Sequence, residues 1–397
     1  MKQKHTILLL FRPKEQSSGT FDSWDWAPAR PTWGIGRTAS SARTIRVGLA
    51  LLLLSVVLAP CALAQNRDRV LTVITRNMDN GTDFGPIFAA QTQAQLMAAD
   101  SATFAEIQAS NIPERAAGIA AEIAAAQPDV VGLQEVFTYR VGPFGATPTT
   151  VVYDALQSLL TELSQRGLQY APAAILTNID AVLPAFNPVS GLFNVRATDH
   201  DVVLVRTDLP VSQFKLLNVQ AQHFTTNLVF NNPLLGSVEI PRGWISVDVK
   251  KRGKSFRFIT THLESFSRAI QVAQANELAQ GPANTDTPVL FAGDFNCDAQ
   301  SADPTVNAAH RILLGAGFTD TWSVAHPTDA GFTFPLHGED PYTPFATPIE
   351  RIDWVLERGA ISLTTVDLIG NTSADLTPSG LWPSDHAGLV ASFVLEP

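Results

Sequence analysis

Val289-Leu290-Phe291-Ala292-Gly293-Asp294-Phe295-Asn296 is a short apolar run that ends in a glycine, an acid and an amide. Four apolar residues without polar alternation read as a strand buried on both faces, and the run delivers its polar residues at the carboxyl end. On either side of it, five further polar motifs adjoin predicted strands: Thr75-Arg76-Asn77, Gln134-Glu135, Thr261-His262-Leu263-Glu264, Arg351-Ile352-Asp353 and Ser384-Asp385-His386. Any one alone is an ordinary turn or cap. Their order carries more: Asn77, Glu135, His262 and Asp294 follow strands, whereas Asp353 and Asp385-His386 precede them. In a mixed sheet those ends can share one edge, which would gather acids, amides and two imidazoles in one cleft. Hard oxygen donors without a Cys/His cluster select Mg2+, Mn2+ or Ca2+ over zinc.

The rest of the chain alternates strands and helices. Strands are predicted at Val70 to Thr75, Val130 to Gln134, Asp201 to Arg206, Ile352 to Glu357 and Leu389 to Leu395. Trp244 to Val249 and Ser255 to Thr261 read as a hairpin with a basic turn, Lys250-Lys251-Arg252-Gly253-Lys254. Helices are predicted at Pro113 to Ala126, where Pro113 suits a first turn, and at about Tyr153 to Gln165, Arg268 to Leu278 and Val306 to Ala316. A Pro/Asn-rich stretch precedes Asp201. Between His326 and Glu350 lie Pro327, Pro335, Pro341, Pro344 and Pro348, and a loop of that length in a compact domain usually serves as a site rim.

Composition bounds the class. A chain of 397 residues, 45% hydrophobic and 16% charged, has ample material for a core and is neither disordered nor fibrous. Arg37, Arg43 and Arg46 precede the apolar run Val47 to Ala59, and Ala62-Leu63-Ala64 follows before Gln65, which are the parts of a secretory signal. The run is short of the ~20 residues a membrane span needs. Residues 1–64 are therefore expected to be a leader cleaved after Ala64, or alternatively kept as an N-terminal membrane anchor, and the protein to be secreted or periplasmic. With no linker or repeat from Gln65 onward, residues 65–397 read as one catalytic domain. The whole chain carries a net charge of −10; without its leader, 19 basic face 34 acidic residues, an imbalance that repels polyphosphate at long range. Cys61 leaves with the leader, so no disulfide can form within the remaining domain, and Cys297 reads as a small semi-buried thiol.

The six motifs in this order resemble the endonuclease/exonuclease/phosphatase superfamily, which includes pancreatic-type deoxyribonucleases, abasic-site endonucleases, inositol-polyphosphate 5-phosphatases and bacterial neutral sphingomyelinases. The resemblance spans about Val70 to Leu395, and Gly-Asp-Phe-Asn with a later Ser-Asp-His is its most diagnostic part. It implies an α/β (α+β) fold, a four-layer αββα sandwich of two mixed sheets, deoxyribonuclease I-like, with the site at one edge. It also implies that Glu135 is the principal Mg2+ ligand with Asn77 beside it and Asp385 as a further ligand. Asp294 and Asn296 would hold the attacking water and the phosphate. His386, oriented by Asp353, would touch the scissile phosphate, and His262 would stand near the leaving side. The chemistry is consistent with those roles, because phosphodiester hydrolysis needs a cation, an oriented water and a donor for the leaving oxygen. Whether Asp294 or His386 removes the water's proton is open at this stage.

Other residues bear on substrate. Asp199 and Asp201, at a strand start, are candidate partners for His262, and Arg242 is a candidate bidentate phosphate ligand. Thr333 resembles a family Thr and is expected to be structural or a weak phosphate contact. His200, His223, His310, His326 and His337 match no motif and are expected on loops or the surface. Asp79 to Asn111 reads as an insertion over the metal site. Phe224 to Leu235 reads either as an exposed hairpin making transient lipid-surface contact or as an apolar cover for the sheet edge. The expected activity is an exported, metal-dependent phosphodiesterase, acting as a monomer on a phospholipid head group, a small phosphoester or extracellular nucleic acid. The alternative is a catalytically silent binding module on the same scaffold.

Overall fold

In a computed structural model, residues 70–338 and 347–396 are described; the leader, Pro341 and Pro344 lie outside them. The chain begins with β1 (Val70–Asn77), α1 (Gly85–Ala89), α2 (Gln93–Ala109), α3 (Ile112–Ala126), β2 (Val130–Gln134), β3 (Thr138–Pro143), β4 (Thr150–Asp154) and α4 (Ala155–Gln165). It continues through β5 (Tyr170–Asn187), β6 (Gly191–Arg206), β7 (Phe214–His223), β8 (Leu228–Asn232), β9 (Gly236–Ile240), β10 (Gly243–Lys251) and β11 (Lys254–Thr261). Then come α5 (Arg268–Gln280), β12 (Val289–Asp294), α6 (Ala308–Gly315), β13 (Thr319–Asp320), α7 (Thr321–Ala325), β14 (Asp353–Arg358), β15 (Ile361–Ile369) and β16 (Gly388–Leu395).

These strands form two mixed sheets. One runs β15-β16-β1-β2-β6-β3-β4, with β5 paired to β6; the other runs β13-β14-β12-β11-β10-β7. Parallel pairs (β1 with β2, β11 with β12) sit at their centres and antiparallel pairs around them. The central strands carry apolar side chains on both faces, as expected where both faces are covered. Leu71, Val73, Val130, Val203, Val247, Phe258, Leu290 and Phe393 meet between the sheets. On the outside of the first sheet, Ile74 and Val131 pack against Ile119 and Ile123 of α3 and Leu159 of α4; on the outside of the second, Ile259 and Phe291 pack against Leu278 of α5 and Leu313 of α6. That is the αββα sandwich, with each buried Phe or Leu contributing roughly 1.5–3 kcal/mol.

The strand directions gather the motifs at one edge. β1, β2, β11 and β12 all end there, and β14 and β16 start there because they run antiparallel to β12 and β1. Asp294 and Asp353 are direct cross-strand partners. At Gly293 a Cβ would sit 2.4 Å from the Thr261 carbonyl, so only glycine allows β12 to approach β11 this closely.

Several expectations are corrected. The Pro/Asn-rich stretch before Asp201 is the long β5–β6 hairpin, so Asp199 and Asp201 lie inside a strand and not at its start. Tyr153 belongs to β4, and the helix begins at Ala155, capped by the Asp154 carboxylate through the Gln157 N–H. The segment 79–111 contains two helices, α1 and α2, the second closed by a Thr92/Gln95 capping box. The Phe224 to Leu235 stretch does contain a hairpin strand, but Phe224 and Leu235 are buried.

Candidate active site

Glu135 follows β2 with a positive φ of 55°, a conformation costing a non-glycine residue on the order of 1 kcal/mol or more. The backbone N–H and side-chain amide of Asn80 both donate to its Oε2, each at 2.9 Å. Burial, followed by the charges of Asp385 and Asp79, pushes its carboxyl up to about 7. Asp385, on the Ser-Asp-His turn before β16, is raised by burial and by Asp79 in the same way.

Asp294 closes β12. Asn77 Nδ2 donates to its Oδ2 at 3.1 Å, and the Asn296 N–H donates to its Oδ1 at 2.9 Å. Asn77 in turn accepts the Asp79 N–H through Oδ1 at 2.8 Å, while the Asn296 amide donates to the Leu263 carbonyl at 2.9 Å, so both amides orient the site turns. Burial is the main reason that the Asp294 carboxyl is raised to about 6; Asp353 adds to it, and His386 and the two hydrogen bonds oppose it.

His386 Nδ1 lies 2.8 Å from Asp353 Oδ2. Burial works against a charged ring, but the carboxylates of Asp353, Asp385 and Asp294 outweigh it and raise the imidazole well above its usual range. Its Nε2 stands 3.9 Å from Asp294 Oδ2 and 4.0 Å from Asp385 Oδ1. Arg76, fully buried and paired with Glu122 of α3 at 2.9 Å, donates to the His386 carbonyl and fixes the turn. Thr333 Oγ1 accepts the N–H groups of Ile352 and Asp353 at 3.2 and 3.3 Å, and Arg351 forks onto Asp320; both hold the start of β14.

His262 differs. Its Nδ1 lies 2.8 Å from Arg242 Nη1. A guanidinium can only donate, so Nδ1 accepts and the proton of a neutral ring is on Nε2, which faces Asp294 Oδ2 at 3.4 Å and Glu135 Oε1 at 4.0 Å. Burial, Arg242 and His386 all lower its pKa well below the usual value. The hydrogen-bond partner of His262 is therefore Arg242, and neither expected aspartate; Asp199 Oδ2 stands behind the guanidinium at 3.9 Å and accepts from Asn178 at 3.1 Å.

Asp79, Arg115 and His337, which carry no motif, adjoin the acids. Asp79 is held by Arg115 at 3.1 Å and lies 3.5 Å from His337 Nε2. His337, expected on a loop or the surface, is buried on its loop: burial opposes its charge, but Asp79 and Asp385 raise it to about 9. Its place in the Pro-rich rim loop was the available signal. His310, also expected on a loop or the surface, is a buried partner of Asp320 at 2.9 Å in α6. Cys297 is fully buried.

The donor set fits a hard divalent cation. Asp79 raises both Glu135 and Asp385, and Asp385 raises Glu135, a concentration of negative charge that a cation would neutralise through oxygen donors. One ligand atom from each of Asp294, Asp353 and His386 lies within 4.8 Å of the others, which adds a buried acid–imidazole cluster alongside.

Human nocturnin is 24% identical over 305 residues, covering 72% of this chain and 59% of that protein; Drosophila melanogaster nocturnin is 28% identical over 177 residues, covering 38% and 27%. The chain thus spans less than two thirds of the length of these relatives. Among solved structures, D. rerio TDP2 complexed with single strand DNA product has a TM-score of 0.48 at 19% identity, covering 82% of this chain and 98% of that one. An endonuclease/exonuclease/phosphatase family protein from Leptotrichia buccalis has a TM-score of 0.48 at 15% identity, covering 81% and 99%. The model of the Endonuclease/Exonuclease/phosphatase family matches residues 106–386, most of the chain and five of the six motifs, and the chain belongs to that family.

Proposed function

We propose that the protein is an exported, divalent-metal-dependent phosphodiesterase that hydrolyses phosphate esters by attack of water. The observation that carries the reading is the convergence of Asp294, Asp353 and His386, from three distant motifs, within 4.8 Å at an edge also occupied by Glu135 and His262. Glu135 and Asp385, with Asn77 beside them, would hold Mg2+, or Mn2+ or Ca2+ in its place. When bound, the cation supplies positive charge against the phosphate and favours ionisation of water.

The remaining work falls to the chain's own groups. Asp294, oriented by Asn77 and Asn296, takes the proton of the attacking water; its raised carboxyl is poised for that near neutral pH, whereas His386 already carries a proton. His386, held by Asp353, donates to a non-bridging phosphate oxygen. Asn296 adds an amide on the same side. His262 presents Nε2–H to the leaving oxygen, and Arg242 fixes that tautomer while placing a cation beside the phosphate.

A catalytically silent module would be expected to lack one of Glu135, Asp294, Asp385 and His386, and all are present. The test is hydrolysis of bis-p-nitrophenyl phosphate by chelator-stripped protein before and after metal is restored. Turnover should return with metal and vanish in His386→Ala; metal-loaded protein that cleaves no ester in a broad panel would be a binding module. Export is tested by mass spectrometry of the exported protein, where an N-terminal peptide starting at Gln65 is expected.

A further inference from the structure

The two segments that leave the site edge on either side meet each other. α1 and α2 rise from the first sheet directly after Asn77 and Asn80, the residues that orient Asp294 and Glu135. β8 and β9 rise from the second sheet between His223 and Gly243, and the Arg242 N–H at their base donates to Asn227 Oδ1 at 3.0 Å. Across the gap Ile87, Ala90 and Leu96 pack with Leu235 and Val238 in one small buried cluster. Phe88 and Phe230 meet edge to face at 5.1 Å. Buried Asn232 ties the halves together by donating to the carbonyls of Phe88 at 3.1 Å and Ala90 at 2.8 Å. On another side the rim loop closes in, with the Leu336 N–H donating to the Asp385 carbonyl at 2.7 Å and Phe334 against the His386 ring. At the site edge the side chains of Asp294, His262 and His386 are only 1%, 2% and 5% exposed, while Glu135 and Asp385 keep 19% and 28%.

We infer that α1–α2 and the β8–β9 hairpin form a fixed arch that admits a small, water-soluble phosphoester and excludes duplex nucleic acid; the inference rests on the phosphodiesterase reading above. A duplex presents its phosphates on a stiff cylinder with a persistence length of ~50 nm, which cannot bend into a roofed cleft without a large deformation cost. The negative charge of the chain opposes it further. A lipid head group would have to leave its bilayer to pass the arch, because Phe230, Leu234, Leu235 and Val238 pack toward α1–α2 and leave Val229 as the exposed large apolar side chain of β8.

The test compares wild type with Phe230→Ala/Asn232→Ala, which removes the keystone and touches no catalytic group. Substrates are bis-p-nitrophenyl phosphate, supercoiled plasmid and phosphatidylcholine vesicles, all with Mg2+. Wild type should prefer the small ester by about a hundredfold or more, and the variant should gain at least about tenfold in plasmid nicking while keeping small-ester kcat/KM within about threefold. Plasmid or vesicle hydrolysis by wild type at the small-ester rate sinks the arch and leaves the phosphodiesterase; protein that cleaves nothing sinks both. A second variant, Phe88→Cys/Phe230→Cys, covers loss of folding in the first. Oxidative cross-linking should leave small-ester turnover unchanged, whereas a loss restored by reductant would show that the arch must open, overturning the proposal.

Discussion

His386 and His262 look into the same cleft from opposite sheets, and their Nε2 atoms stand 3.9 and 3.4 Å from the same oxygen of Asp294. One imidazole rests on a carboxylate, Asp353, and the other on a guanidinium, Arg242. The first is raised well above the usual pKa and the second is lowered well below it. Burial penalises the charged form of both, so burial cannot separate them. The sign of the group behind Nδ1 does. A carboxylate holds a cation in place, while a guanidinium compels a neutral ring with its hydrogen on the side of Asp294 and Glu135. Two like side chains thereby become an ionic donor and a neutral donor on either side of one carboxylate.

The most direct way to break the contrast is Asp353→Asn, which removes the charge and keeps the shape. kcat should fall about a thousandfold, within the ~10²–10⁴ carried by a positioned acid or base. The pH profile gives the sign. Asp353 raises both His386 and Asp294, so its loss lowers both. The acid limb of kcat/KM, set where Asp294 ionises near pH 6, should move to lower pH, and the alkaline limb set by His386 should move the same way. A uniform loss with limbs unmoved would show that Asp353 only supports the backbone.

The half of the contrast that rests on Asp353 was legible in the sequence, because Arg-Ile-Asp and Ser-Asp-His are short motifs that each bring a strand end with them. The other half was not. Asp199 and Asp201 read as a strand start because β5 and β6 lack clear alternation: β5 carries Pro172 and Pro184 and is only half-buried along most of its length, so its pattern resembles a loop. Once that hairpin is built, the two acids sit inside β6, and Arg242 is the group that reaches His262. His337 stood in a legible rim loop, but its pairing was hidden for another reason. Its partner Asp79 is far away in sequence, and neither periodicity nor local turn chemistry reports such a pairing.

Arg242→Met sharpens the other half. It frees Nδ1 and removes a cation, two of the influences that keep His262 neutral, so the ring should begin to titrate at higher pH while burial still holds it below the usual value. The expected cost in kcat/KM is about tenfold, the low end for loss of a positioned donor. Arg242→Lys should recover part of it, since an ammonium also only donates. Histidine NMR of the two variants checks this: a ring that stays neutral across the acidic range in Arg242→Met would mean that burial alone sets its state.

The smallest effect comes from Phe334, whose ring lies 4.8 Å from that of His386 at an interplanar angle of 44°. An aromatic face near an imidazolium stabilises the cation by ~0.5–1 kcal/mol. Set against 1.36 kcal/mol per pKa unit, Phe334→Leu should lower the His386 pKa by roughly half a unit and slow turnover about twofold. Asp353 adds a full charge at hydrogen-bonding distance, so its removal must shift the ring further than the loss of Phe334 does. If histidine NMR finds the two shifts equal, the cation is held by the apolar wall and the comparison with His262 loses its cause, because charge sign behind Nδ1 would no longer be what separates the two rings.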